Sequence, residues 1–261
     1  MMNDNQKIII SLTSFPAAIP YTVLAIRSIL NGSLQPDKIV LYLDTQQFPN
    51  GILPLELENL RAETPILEVR FDTAEIRSYK KLIPALRDFP EDIIVTIDDD
   101  ICYHKHLLRD LVTLHRQLPD AILAHRVRKI RLNTPYRKWP KYKWYDFIFK
   151  KIHFTPLAMQ TGVGGVLYPP HSLDEGMLDP IKFMALAPTC DDVWFWAAAV
   201  SKGTPVVPVP FGYNRPKELG KPNKIALKTV NYASGTDRNV AALEKILAEY
   251  PKIKQKVEKG K

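Results

Sequence analysis

The run Ile93-Ile94-Val95-Thr96-Ile97-Asp98-Asp99-Asp100 constrains this chain more than any other stretch. Five mostly β-branched residues in a row read as a buried strand. That strand delivers three carboxylates at its C-terminal end, where ligand sites gather in open α/β sheets. Three adjacent carboxylates repel one another and are costly to hold close unless a cation sits among them. A hard divalent ion bound to a phosphorylated substrate accounts for the cluster. The bland alternative is a solvated turn opening the next helix, where acids suit the dipole.

The surrounding pattern gives the run a context. Residues 7–13 (KIIISLT) read as a first buried strand, 14–16 as a turn, and 19–30 as a helix with one apolar face, ended by Asn31-Gly32. Residues 38–43 (KIVLYL) form a second strand closing on Asp44, and 67–71 (LEVRF) a third. Residues 79–86 read as helical, with Pro84 marking an end or a kink. Strand and helix alternate at the spacing of a parallel, doubly wound sheet over residues 1–120, with a nucleotide as its expected ligand.

Residues 121–261 are less regular. A helix over 107–117 leads into a strand over 121–126, and then a basic-aromatic excursion spans 126–154. The run from Gln160 to Pro170 (QTGVGGVLYPP) is a glycine-rich strand or turn, in which Gly164 and Gly165 let backbone or ligand approach closely. It lacks the lysine and helix start of a phosphate loop. A helix over 188–200 is stopped by Gly203 and Pro205, and a short strand follows at 206–209. A terminal helix over 237–250 precedes a basic tail, PKIKQKVEKGK, expected to fray.

Composition adds limits. With 46% hydrophobic and 25% charged residues in a chain of 261, an ordinary globular protein with an ample core is expected. No apolar run reaches the ~18 residues of a membrane span, and the N-terminus has no signal-peptide pattern. Cys102 and Cys190 make neither a metal spacing nor a disulfide framework, so a reducing cytoplasm is expected.

Charge is concentrated. From Arg126 to His153 there are ten Lys/Arg against Asp146 alone, a balance of +9 in a chain of net +8, so the remainder sums to −1. Tyr136, Trp139, Tyr142, Trp144, Tyr145, Phe147 and Phe149 interleave with these cations. Such a mixture suits an anionic membrane surface, peripherally bound at its inner face, or RNA, or an excursion whose aromatics pack on the domain. No nucleic-acid partner is expected.

Several segments, in this order, resemble GT-A-fold bacterial glycosyltransferases over nearly the whole chain. They are Leu12-Thr13-Ser14-Phe15-Pro16, Arg77-Ser78-Tyr79-Lys80-Lys81, Ile97-Asp98-Asp99-Asp100, Gly164 to Pro170, and Cys190-Asp191-Asp192-Val193-Trp194-Phe195. The resemblance implies a Rossmann-like, doubly wound and mostly parallel sheet with a smaller acceptor-side subregion, one continuous domain in two halves. It implies a nucleotide-diphosphate-sugar donor, UDP by preference, a saccharide or lipid-linked saccharide acceptor, and Mn²⁺ or Mg²⁺. Surface-polysaccharide synthesis is the implied setting.

By that resemblance Asp100 is the primary metal ligand. Asp98 and Asp99 serve the ribose, the diphosphate, the metal or its water. Thr13 and Ser14 meet the nucleoside, and Asp44 matches an acid that accepts the uracil N–H, its alternative being a turn aspartate. Arg77 and Lys81, one helical turn apart if the helix begins early, would project together toward phosphate or form a solvated helix face. Gly164 and Gly165 floor the acceptor site.

Asp191 and Asp192 are candidates for the base that an inverting transfer needs, with the second acid of such a pair implied. Thr189-Cys190-Asp191-Asp192 also has the form of a capping box, which would leave Asp191 as the base. The late histidine ligand of many such enzymes has no counterpart, since His171 is the last histidine, and Asn231 or Asn239 are substitutes that nothing selects. Two other functions fit less of the chain: a haloacid-dehalogenase-type phosphatase, whose nucleophilic aspartate would follow the first strand, and a non-enzymatic membrane- or RNA-binding module.

Overall fold

The computed structural model describes residues 6–142, 155–210, 217–220 and 237–260. Four apolar runs form parallel strands: β1 (Ile8–Thr13), β2 (Lys38–Asp44), β3 (Leu67–Asp72) and β4 (Ile93–Thr96). Residues of β1 and β4 are almost wholly buried, because helices or loops cover both faces, and this is why they read as continuous rather than alternating apolar runs.

The chain after β4 continues through β5 (Ile101–Cys102), β6 (Ile122–Ala124), β7 (Val127–Lys129), β8 (Ala158–Gln160), β9 (Val166–Tyr168) and β10 (Val206–Pro208). The main sheet has seven strands in the order β10-β6-β9-β4-β1-β2-β3. It is mostly parallel and draws strands from both halves of the chain. The exception is β9, which runs antiparallel to both β4 and β6. The expected strand over 121–126 breaks after Ala124: β6 stays in the main sheet, while β7 leaves it to pair with β8.

Other expectations shift locally. Residues 79–86 are not one helix. A 3₁₀ turn, Arg77–Lys81, precedes an α-helix, Ile83–Asp88, in which Pro84 occupies the first turn. Proline there opens a helix rather than ending one, because its missing N–H has no partner to lose. The helix expected at 188–200 begins at Asp191 and runs to Lys202, closed by Gly203 in the left-handed conformation. Asp237 caps the helix Arg238–Glu249 by accepting the Val240 N–H. The tail expected to fray is a helix, Pro251–Lys259, that buries Ile253 and Val257 on one face. The helices expected at 19–30 and 107–117 are Ile19–Leu30 and Leu107–His115, and two more, Leu55–Glu63 and Pro180–Leu186, join them.

The basic-aromatic stretch is described only in part. Trp139 is 2% exposed, its indole donating to Thr134 O at 3.1 Å. Its ring lies 5.2 Å from that of Tyr136, and Lys129 stands over Tyr142. These aromatics pack on the domain, whereas Arg137 and Lys138 are exposed. Lys143, Trp144, Tyr145, Phe147 and Phe149 lie outside the described residues.

Candidate active site

The C-terminal ends of β1, β2 and β4 open onto one cleft of about 690 Å³. Thr13, Ser14, Asp44, Arg77, Lys81, Asp98, Asp99, Asp100, Asp191 and Asp192 all line it. The sheet brings together Thr13, Ser14, Asp44, Asp98, Asp99 and Asp100, because parallel strands end on the same side, and the 3₁₀ turn Arg77–Lys81 adds Arg77 and Lys81. The helix Asp191–Lys202 supplies the last two from its first turn.

Lys81 lies at the centre. Its Nζ is 2.9 Å from Asp98 Oδ1 and 2.9 Å from Asp191 Oδ2. The 3₁₀ turn that carries it is fixed from two sides. Ser11 Oγ, on β1, donates to Lys81 O at 2.6 Å. Tyr79 stacks on Phe183 with ring centroids 4.0 Å apart and donates its hydroxyl to Ala187 O at 2.7 Å. Burial opposes the lysine's charge, but Asp191, Asp98 and Asp192 outweigh it and hold the ammonium well above its ordinary value. Of the expected phosphate-facing pair, both Arg77 and Lys81 line the cleft, but their surroundings differ. Lys81 is buried among carboxylates, while Arg77 is exposed at φ 52° on the tight turn.

Asp192 does not cap its own helix. The helix N-cap is Cys190, with no side-chain capping bond, and Asp192 Oδ1 instead accepts the backbone N–H of Gly162 at 2.9 Å. The Thr-x-x-Asp pattern is thus not a capping box here. Asp191 is held by Ser78 Oγ at 2.8 Å as well as by Lys81. Burial and the charge of Asp191 push the Asp192 carboxyl up to about 7, against the opposing pull of Lys81. A carboxyl poised there suits proton transfer near neutral pH.

Gly162 leaves the room that the Lys81 ammonium occupies. A Cβ on it would stand 2.5 Å from Lys81 Nζ, 3.0 Å from Asp98 Oδ1 and 3.3 Å from Asp192 Oδ1. The expected glycines act differently. Gly164 and Gly165 do not line the cleft. A Cβ on Gly164 would meet the Arg126 backbone N at 2.7 Å, and Gly165 has φ +78°. They let the turn fold against Arg126 and Leu107, and the residues that reach the cleft are Thr161 and Val163.

The remaining strand ends are equally ordered. Asp44 Oδ2 is 2.7 Å from Lys80 Nζ, and Asp44 Oδ1 accepts the Gln46 N–H at 2.9 Å. Burial works against the Asp44 charge, yet these bonds keep its carboxyl below the ordinary value. Thr13 Oγ1 donates to Tyr42 O, and Ser14 Oγ donates to Asp99 Oδ2 at 2.7 Å. The Asp98 N–H donates to the Tyr103 hydroxyl at 2.8 Å, and Asp100 O accepts the Leu219 N–H at 2.9 Å. Each aspartate of the triplet is thereby fixed by a separate neighbour.

Lys80, Ser78, Tyr103, Gly162, Arg126 and Arg128 were not singled out by sequence. Lys80 and Ser78 sit inside Arg77–Lys81, so that segment was the available signal. Asn239, 8% exposed, also lines the cleft, whereas Asn231 lies outside the described residues.

Among the described residues, no three His, Cys, Asp or Glu side chains converge closely enough to hold an ion unaided. Asp100 and Asp98 nevertheless offer hard oxygen donors to the cleft. They fit a cation of the Mg²⁺ kind, which takes one or two carboxylates and completes its shell with substrate phosphates and water.

No protein-family model and no curated protein matches the sequence. Among solved structures, the mannosyltransferase PcManGT from Pyrobaculum calidifontis, in complex with GDP-Man and Mn²⁺, aligns with a TM-score of 0.52 at 14% identity. The alignment covers 93% of this chain and 73% of that one. S. aureus TarS 1-349 in complex with UDP aligns at 0.49 and 12% identity, over 79% of this chain and 58% of that one. A 4-diphosphocytidyl-2C-methyl-D-erythritol synthase aligns at 0.47 and 13%, over 87% and 99%. At such identities the likeness is one of fold, and the mannosyltransferase carries it: this chain has a GT-A-like fold, a Rossmann-like α/β sheet flanked by helices.

Proposed function

We propose that the chain is a metal-dependent glycosyltransferase that moves a sugar from a nucleoside-diphosphate donor, UDP-linked by preference, to a hydroxyl of a saccharide or lipid-linked saccharide in surface-polysaccharide assembly, with inversion. One observation carries this reading. Asp98 of the triplet and Asp191 of the helix pair, far apart in sequence, meet on Lys81 in a single cleft beside a carboxyl whose pKa is pushed up to about 7.

In this reading Asp44 and Lys80 present an acceptor and a donor to the nucleobase, and the turn after Thr13 and Ser14 supports the ribose. Asp100, with Asp98, would hold Mn²⁺ or Mg²⁺, which would supply positive charge against the leaving diphosphate. Asp192 takes the proton from the acceptor hydroxyl as its oxygen bonds to the anomeric carbon and the bond to the diphosphate breaks. Asp191 keeps its bonds to Ser78 and Lys81 and positions its neighbour. The exposed Arg137 and Lys138 support peripheral docking on anionic lipid, which vesicle co-sedimentation should show as a salt-sensitive association.

The test is a panel of nucleotide sugars with Mn²⁺, read by nucleotide release and by the anomeric configuration of the product. Release from one donor, with an inverted product, is expected. A retained configuration would remove Asp192 from its role, and phosphomonoester hydrolysis without sugar transfer would favour the phosphatase class.

A further inference from the structure

Arg126 and Arg128 both line the cleft, and neither has an ionic partner among the described residues. Arg128 lies in β7 and Arg126 immediately precedes that strand, and both reach the same cleft. Arg128 is 8% exposed. Its Nη1 donates to Trp139 O at 2.8 Å and Tyr136 O at 3.2 Å, and its guanidinium lies 4.4 Å from the Tyr136 ring centre. These contacts hold the group in place without neutralising it. The Nε of Arg128 is buried and has no hydrogen-bond acceptor, and the same holds for the Nε of Arg126.

The two lysines of the cleft are treated differently. Lys80 is paired with Asp44, and Lys81 with Asp98 and Asp191. Enclosing a guanidinium without a counter-charge is costly, and the cost is offset when an anion arrives in the site. The planar fork of arginine matches carboxylate and phosphate oxygens in pairs.

Position assigns the anion to one substrate. Arg126 O accepts from Thr161 N at 3.0 Å and Thr161 Oγ1 at 3.2 Å. The next residue, Gly162, gives its N–H to Asp192. The arginine segment is therefore joined directly to the turn that aims the carboxyl assigned above as the base. The aspartate triplet, with the cation it would hold, is assigned above to the donor diphosphate.

We infer that the acceptor is anionic: a carboxylate or phosphate on the acceptor saccharide sits on Arg126 and Arg128 while its hydroxyl reaches Asp192. This rests on the transferase reading, and two readouts keep the two ideas separable. The first needs no turnover. Inorganic phosphate should raise the melting temperature of the UDP-saturated protein, and Arg126→Gln should lose that shift while its affinity for UDP stays within about twofold of wild type.

The second readout uses the donor that releases nucleotide, with methyl β-glucuronide or glucose 1-phosphate compared with neutral methyl β-glucoside as acceptors. Wild type should favour one of the anionic acceptors by at least about tenfold in kcat/KM, through KM, and that acceptor identifies carboxylate or phosphate. Arg126→Gln should erase the preference, and Arg126→Lys should restore part of it. Arg128→Gln also loses the bond to Trp139 O, so the Arg126 variants carry the test. A tenfold loss of UDP affinity in Arg126→Gln would give the arginines to the donor diphosphate and overturn the inference. So would equal use of neutral and anionic acceptors with no phosphate shift. Absence of turnover with every donor would overturn the transferase reading, while the phosphate shift would still decide whether the arginines bind an anion.

Discussion

Asp192 Oδ1 accepts the Gly162 amide at 2.9 Å, and this bond turns the carboxylate away from its own helix end and toward the cleft. Two consequences follow for Asp192→Asn. The rate of transfer should fall by about 10²–10⁴, the usual contribution of a general base, with KM for the donor little changed. Wild-type kcat/KM should rise with pH to a plateau above about 7, because the base is the deprotonated form and burial with Asp191 pushes its pKa up. Stability should move the other way. Between the ordinary 3.8 and about 7 the folded state binds more protons than the unfolded state, so this group's contribution falls as pH rises through that window. Asp192→Asn should thus melt at or above wild type at pH 8, with the gap closing toward pH 5. A variant that melts lower at pH 8 would mean that the ionised carboxylate stabilises the fold and that its pKa is not raised.

Lys81 neutralises Asp98 and Asp191 with side-chain exposures of 8%, 27% and 11%. Removing the cation leaves two enclosed carboxylates facing each other. Lys81→Met should lose about 3 kcal/mol in denaturant unfolding. Lys81→Met combined with Asp191→Asn should recover part of that loss, since one of the stranded charges is gone. Simple additivity of the two variants would mean the groups are not coupled.

Gly162 separates a steric effect from a stability effect. Its missing Cβ would lie 2.5 Å from Lys81 Nζ, the end of a flexible side chain that can yield. Gly162→Ala should therefore stay folded. Moving Lys81 disturbs both carboxylates it holds, and displacement of catalytic groups on this scale costs about a hundredfold in rate. Gly165→Ala should behave in the opposite way, because φ +78° strains any side chain there while the cleft is untouched. It should lose about 1 kcal/mol of stability and retain most of the activity of its folded fraction. Calorimetry beside a nucleotide-release assay distinguishes the pair.

The elements that sequence revealed are those whose physics is local. β1, β2 and β4 are unbroken apolar runs because both their faces are covered, and the aspartates follow directly from the end of β4. The direction of β9 was hidden, since Val166–Tyr168 reads the same in either sense, and only its partners β4 and β6 fix it. Lys81 looked like a phosphate ligand because its carboxylate partners are 17 and 110 positions away. The tail helix did leave a signal, Ile253 and Val257 at i, i+4, which its lysines masked. The capping pattern at Thr189 stood as the alternative to a base role for Asp192, and sequence could not decide between them because the partner that draws Asp192 from its helix end, the Gly162 amide, lies 30 positions away.

The cation should bind together with the nucleotide. No three acidic, histidine or cysteine side chains are arranged to hold a metal ion among the described residues, and Asp98 already accepts a hydrogen bond from Lys81. Asp100 with water alone makes a weak site, and diphosphate oxygens complete it. Mn²⁺ titrated into the protein and followed by electron paramagnetic resonance should bind weakly, then at least about tenfold more tightly once UDP is present. By reciprocity, UDP should bind more tightly with Mn²⁺ by the same factor. Asp100→Ala should abolish this coupling in a protein that remains folded, because the carboxylate is exchanged for a methyl at a strand end facing the cleft. Tight Mn²⁺ binding without nucleotide, or coupling that survives Asp100→Ala, would place the metal on other residues.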